Sequence, residues 1–194
     1  MSQPTGAYAW LNQEPGPRML LEALKLFGTK ETPGPADNPV ILAWADELGD
    51  KLGTAYAKWA ANWYQDDSTP WCGLGMALVA QRANPEDRPE RRPPDKYLAA
   101  ASWASWGRPV GAKGAMLGDV LVFTRDGGGH VGLYVGEDAT HYHVLGFNQS
   151  DSVNVTRIAK SRCTAARRPA YVNTPTNVRK VQMAASGPVS TNEA

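Results

Sequence analysis

Two cysteines and three histidines stand among the 194 residues, so few side chains could carry nucleophilic chemistry. Cys72 lies in the stretch TPWCGLGMALVA at 69–80, where an apolar run follows two turn-forming residues. Thr69 (or Ser68) as N-cap, with Pro70 at the first helical position, predicts a buried helix to about Ala80 that carries Cys72 as its third residue. Unpaired N–H groups and the positive helix end favour a thiolate there, against an ordinary thiol pKa of roughly 8.5. The Cys72 N–H could also bind the oxyanion formed when an acyl carbon is attacked. Gly73 and Gly75 each weaken a helix by roughly 1 kcal/mol relative to alanine, and close approach of a substrate or a strand would explain them. The plain alternative is that Cys72 is a small buried hydrophobe. Cys163, within KSRCTAARR, has no such setting and reads as structural.

His130 follows the turn Asp126-Gly127-Gly128-Gly129 and opens HVGLYVG. Strand alternation sets His130, Gly132 and Tyr134 on one face and Val131, Leu133 and Val135 on the other. Gly132 removes bulk beside His130, and a neutral imidazole suits proton removal from a thiol. If residues 137–140 turn the chain so that Gly136 pairs with His141, His130 falls opposite Phe147. One more residue in the turn brings it opposite Asn148. Cross-strand neighbours on one face can touch, so Asn148, or failing it Gln149, could orient the imidazole; equally, residues 148–150 are a plain turn. His141 and His143, near the hairpin tip, could be imagined with a cysteine as zinc ligands. No acidic residue or second cysteine stands at a ligand spacing, and exposed hairpin side chains are the preferred reading, with no metal and no cofactor.

These residues need elements to hold them. The first 17 residues hold three prolines and two glycines and predict an extended arm. Apolar spacing predicts a helix over 18–27 ending at Gly28. A second, from Asn38 as N-cap and Pro39, runs to about Leu48 and closes at Gly49. Residues 54–64 are a short helix or a Trp-rich wall. The segment 82–96 carries four prolines and nine charged residues, the pattern of a solvated connector, after which Asp95 caps a short helix to about Trp106. Four β-branched and aromatic runs follow, with a last strand near 164–171. Helices first and strands afterwards predict an α+β fold with an antiparallel sheet. One catalytic domain over 18–172 and a disordered tail over 173–194 complete the division.

A net charge of +1 from 20 basic and 19 acidic residues makes no electrostatic case for nucleic acid. No run approaches the ~20 apolar residues of a membrane span, so no stable membrane insertion is expected. The amino terminus lacks a basic region followed by an apolar one, which predicts synthesis in the cytoplasm. Both cysteines can be free thiols.

TPWCG, then GDVLVF at 118–123, GHVGLYVG at 129–136 and LGFNQS at 145–150 together resemble the NlpC-like and CHAP-like cysteine amidases and peptidases. The nearest likeness is to a phage and prophage branch of endolysin-type enzymes. KETPGPADNPVILAW at 30–44 and R-R-P at 167–169 extend the resemblance from about Met19 to Pro169. It implies a papain-like fold with the nucleophile helix packed on the sheet that carries the histidine. It further implies Cys72 as nucleophile, His130 as base and Asn148 as orienter, with peptidoglycan as partner and substrate, cut at an amide bond in or near the stem peptide. Such an enzyme would act in the periplasm or cell wall, reached through a holin or another delivery system. Trp71, Asp67 and Gln149 are candidates for substrate contact, although packing for Trp71 and capping for Asp67 carry more weight. An interbacterial toxin amidase with the same chemistry and a non-catalytic wall-binding module are the alternatives. Gly73, where relatives often carry alanine or serine, and a long 82–96 loop depart from the pattern.

Overall fold

A computed structural model describes residues 2–111 and 113–191. Among these, helices form the first half and strands the second, which is the α+β layout expected from the residue pattern. The helices are α1 (Arg18–Leu24), α2 (Pro39–Leu52), α3 (Ala55–Trp63) and α4 (Cys72–Arg82). The strands are β1 (Arg108–Pro109), β2 (Val120–Arg125), β3 (Gly128–Glu137), β4 (His141–Gly146), β5 (Asn154–Ala159), β6 (Cys163–Arg168) and β7 (Val189–Ser190). They make one sheet in the order β1-β6-β2-β3-β4-β5-β7. All neighbours are antiparallel except β5 and β7, so the sheet is mixed rather than wholly antiparallel.

Helix α4 is the centre of the molecule. It carries no polar residue from Cys72 to Ala80, and each of these side chains is buried. A helix apolar all round must be covered all round, and α1, α2 and β3 cover it. Its two early glycines mark where neighbours come closest. A Cβ at Gly73 would strike the carbonyls of Tyr97 and Leu98, and one at Gly75 would enter the Phe147 ring. On the sheet's helix-facing side Val131, Leu133 and Val135 join this core. Leu121, Phe123, Tyr134 and Tyr142 form a second apolar layer on the other side.

Several boundaries differ from expectation, each for a local reason. The first 17 residues are no free arm: Gly6–Gln13 is a 3-10 helix whose Tyr8 and Leu11 enter the core. Helix α2 passes Gly49, which packs against Ala57 and Ala61 of α3. It ends instead at Gly53, whose left-handed φ of 62° supplies the stop. Segment 82–96 is tied down by Asn84, whose side chain donates to the Arg88 carbonyl and accepts its N–H. Among the described residues no α-helix follows Asp95; Ala100–Ser105 is a 3-10 helix. Parts of the tail lie against the sheet. Val181 and Met183 exchange backbone hydrogen bonds with Glu137, and the Pro188 carbonyl accepts from Arg157 N–H before β7 pairs with β5.

The seat of α4 against Phe147 yields a direct prediction. Gly75→Ala should destabilise the fold by about 1–3 kcal/mol, the usual cost of overpacking a filled core. The denaturant midpoint measures it, and an unchanged midpoint would refute the tight seat.

Candidate functional site

Cys72 is the first residue of α4, not the third: Trp71 takes the N-cap position without a side-chain cap. The Thr69 carbonyl instead accepts the Tyr64 hydroxyl at 2.5 Å, which holds the approach to the helix away from a Thr69 cap. The N–H groups of Cys72 and Gly73 at this helix start, and of Val131 in β3, favour the thiolate form. The thiol is 5% exposed. Burial pushes its pKa up; the Val131 N–H, the positive charge of Arg125 and the two helix-start N–H groups oppose that push without overcoming it. The thiol form is therefore the resting one, against the thiolate expected from helix position alone.

His130 lies near the start of β3, opposite Phe123 of β2, with the two rings stacked at 6.4 Å. Its Nε2 is 3.1 Å from Gln149 Oε1. The orientation of that amide is settled by its other end. Gln149 Nε2 faces three acceptors, the Val144 carbonyl at 3.2 Å and the carbonyl and Oδ1 of Asn154 at 2.8 and 3.0 Å. Oε1 must then face the imidazole, His130 donates through Nε2–H, and in the neutral ring Nδ1 holds the lone pair.

The orienting contact expected of Asn148 is thus made by Gln149. The pairing of Gly132 with Gly146, continued along the strands, would indeed set His130 opposite Asn148. The ladder stops at Gly146, however, and the chain turns at Asn148 with φ 57°, which swings Gln149 back under β4. Asn148 Oδ1 is buried with no hydrogen-bond partner among the described residues. The tip of the hairpin also differs from expectation, since Gly136 pairs with His143 and the register shifts between Tyr134 and Gly136. Room beside the imidazole comes from Gly146, where a Cβ would press on both Gln149 Oε1 and His130 Nε2. A Cβ at Gly132 would instead strike Val144.

None of the three candidates for substrate contact faces an open surface. Gln149 is buried and its amide is fully engaged. Trp71 is buried, donates through Nε1 to Glu31 Oε1 at 2.7 Å, and meets Trp44 and Phe147 edge-on. Asp67 is buried and accepts the N–H groups of Thr32 and Asn38 through Oδ2, pinning the loop before α2. With Asp37 and Asp66 it gathers three carboxylates within 4.8 Å of one another. Asp37 Oδ1 accepts the Asp67 N–H and Asp66 Oδ1 accepts from Ser68, so these oxygens serve the backbone.

His143 overturns the expectation of an exposed hairpin side chain. It is wholly buried between Tyr8, whose hydroxyl meets Nδ1 at 2.7 Å, and Asp138, whose Oδ2 meets Nε2 at 3.2 Å. Arg157 donates to the same carboxylate oxygen at 2.9 Å through Nε. Burial raises the Asp138 pKa, but the Thr140 and His141 N–H groups, Arg157 and His143 outweigh it and hold the carboxyl far below the usual range. For His143 burial dominates and pushes the pKa down despite Asp138. His141 leans the other way, with Nδ1 2.8 Å from the Thr140 hydroxyl. Cys163, half-buried at the start of β6, donates to the Ala165 carbonyl, and burial pushes its thiol up to about 11.

The sequence matches no protein-family model and no curated protein, and the fold matches no solved structure.

A histidine whose folded pKa is depressed binds its proton more readily in the unfolded chain. Stability should therefore fall as pH drops below the unfolded histidine value of about 6.5. Thermal melts between pH 7 and pH 5 should show this loss, with a shallower slope in His143→Asn. Equal slopes would rule out His143 as the source.

Proposed function

We propose that this chain is a cysteine hydrolase of bacterial cell-wall peptide, with a papain-like arrangement in which Cys72 is the nucleophile and His130 the base. One contact carries the reading. Helix α4 packs on β3, and the Val131 N–H, on the peptide that follows His130, is among the groups that favour the Cys72 thiolate. With Nε2 engaged by Gln149, the lone pair sits on Nδ1, the ring nitrogen nearer the backbone. The ring stacks on Phe123, in the layer on the sheet face away from α4, so it has to swing about the start of β3 to meet the sulfur. Peptidoglycan as the substrate class, and a phage-type or delivered enzyme acting at the wall, rest on the resemblance of TPWCG, GHVGLYVG and LGFNQS.

In this mechanism the His130 Nδ1 removes the Cys72 proton and the thiolate attacks an amide carbon. The Cys72 N–H stabilises the oxyanion. The imidazolium then protonates the leaving amine, and the C–N bond breaks to give a thioester. Water, deprotonated by His130, releases the acid and restores the thiol. Gln149 takes the positioning role, holding the ring and its tautomer without entering the chemistry. Entry of substrate must displace what covers the sulfur, since the closed form keeps it protonated.

Digestion of purified peptidoglycan, with products identified by mass, tests the proposal. Cys72→Ala should lower the rate on the order of 10⁴-fold or more. Wild-type activity should be lost to iodoacetamide and kept with chelator. Undiminished cutting by Cys72→Ala would end the proposal, and the product masses assign the bond to a muramoyl-alanine amidase or a stem-peptide endopeptidase. Gln149→Leu should reduce kcat about 10²-fold with little change in KM, the usual effect of a misplaced catalytic group; an unchanged kcat would remove Gln149 from the site.

The burial of Cys72 favours one second reading, a module that binds wall fragments without cutting them. In that case wild type and Cys72→Ala would co-sediment equally with peptidoglycan and neither would release products.

A further inference from the structure

A cavity of about 370 Å³ opens at the far end of α4 from Cys72, where Ala80 and Ala83 form one wall. That is some eight to eleven residues along the helix from the sulfur, or roughly 12–17 Å at 1.5 Å per residue. The other walls come from the start of α1, segment 86–91, Trp106 and the chain that leaves β6 at Pro169. Its charge is uneven. Arg18, Arg88 and Arg91 line it against a single carboxylate, Glu86.

Glu86 does not satisfy the three guanidinium groups. The separations are 3.5 Å to Arg18, 3.6 Å to Arg88 and 3.7 Å to Arg91, beyond good hydrogen-bond length. The Nε atoms of Arg88 and Arg91 are buried and have no hydrogen-bond partner among the described residues, and the same holds for the hydroxyl of Tyr171. All three residues line this one cavity. Buried donors left unmade are costly, and three gathered around one space call for a shared acceptor. Guanidinium N–H groups match the oxygens of a carboxylate or phosphate, while Trp106, Ala80, Ala83 and Pro169 offer an apolar wall. The volume lies at the small end of ordinary ligand pockets.

We infer that this cavity is a binding site for a small oxyanion, a carboxylate or phosphate carried on a compact apolar body, held by Arg88 and Arg91 with Tyr171 as an additional donor. The site is separate from Cys72 and does not rest on the hydrolase reading.

Titration calorimetry of the full chain with phenyl phosphate and with benzoate tests the inference, with benzyl alcohol as the uncharged control. Saturable binding of at least one anion is expected, with no saturation by benzyl alcohol at the same concentrations. Arg91→Gln should weaken binding at least tenfold. Glu86→Gln, which removes the competing carboxylate, should tighten it several-fold, a gain that misfolding cannot imitate. Cys72→Ala should bind as wild type does. The inference is overturned if neither anion saturates, if benzyl alcohol binds as well, if Glu86→Gln fails to tighten binding, or if Cys72→Ala abolishes it.

Discussion

The first turn of α4 is the constraint on which the rest of the molecule depends. A helix that is apolar on every side has to be enclosed, and this one is enclosed so closely that two of its first four residues have no room for a Cβ. The backbone of Tyr97 and Leu98 fills the space over Gly73, and the Phe147 ring fills that over Gly75. Phe147 in turn sits just past the end of β4, at the bend that directs Gln149 toward His130. The glycines thus set the helix-to-sheet distance, and that distance sets where the sulfur meets β3.

Enclosure has an electrostatic consequence at Cys72. A helix start alone would lower a thiol pKa, and N–H groups from Cys72, Gly73 and Val131 together with Arg125 all act in that direction. Burial acts against them and prevails. A buried thiol of this kind ionises only when the local dielectric or the proton acceptor changes.

Elsewhere buried polar groups specify the path of the chain. Asp119 is fully buried and takes both nitrogens of the Arg168 fork at 2.9 and 2.8 Å, fastening β6 to the entry of β2. Asp138 gathers Arg157, His143 and the turn N–H groups, and through His143 it reaches Tyr8 in the amino-terminal 3-10 helix. Gln149 does the same for the loop between β4 and β5. Each of these groups would be expensive to bury unpartnered, so each fixes the position of a segment whose own residues have little regular structure.

The sequence by itself determined what local physics controls. Alternation of apolar residues located β2 through β6, Asn38 and Pro39 started α2, and an unbroken apolar run made α4 a buried helix. It also narrowed the candidate chemistry to Cys72 and His130, because so few residues of their types are present. What it could not determine depended on neighbours distant in the chain. Gly49 looked like a helix stop until α3 packed on it, and the first 17 residues looked extended until Tyr8 found His143. Most tellingly, the longer of the two turn counts pointed to Asn148, as does the pairing of Gly132 with Gly146, yet one residue with left-handed backbone gave the imidazole to Gln149. Hydrophobic periodicity is written in adjacent residues, whereas the partner of a buried polar atom is chosen by three-dimensional proximity, and only the tertiary structure decided it.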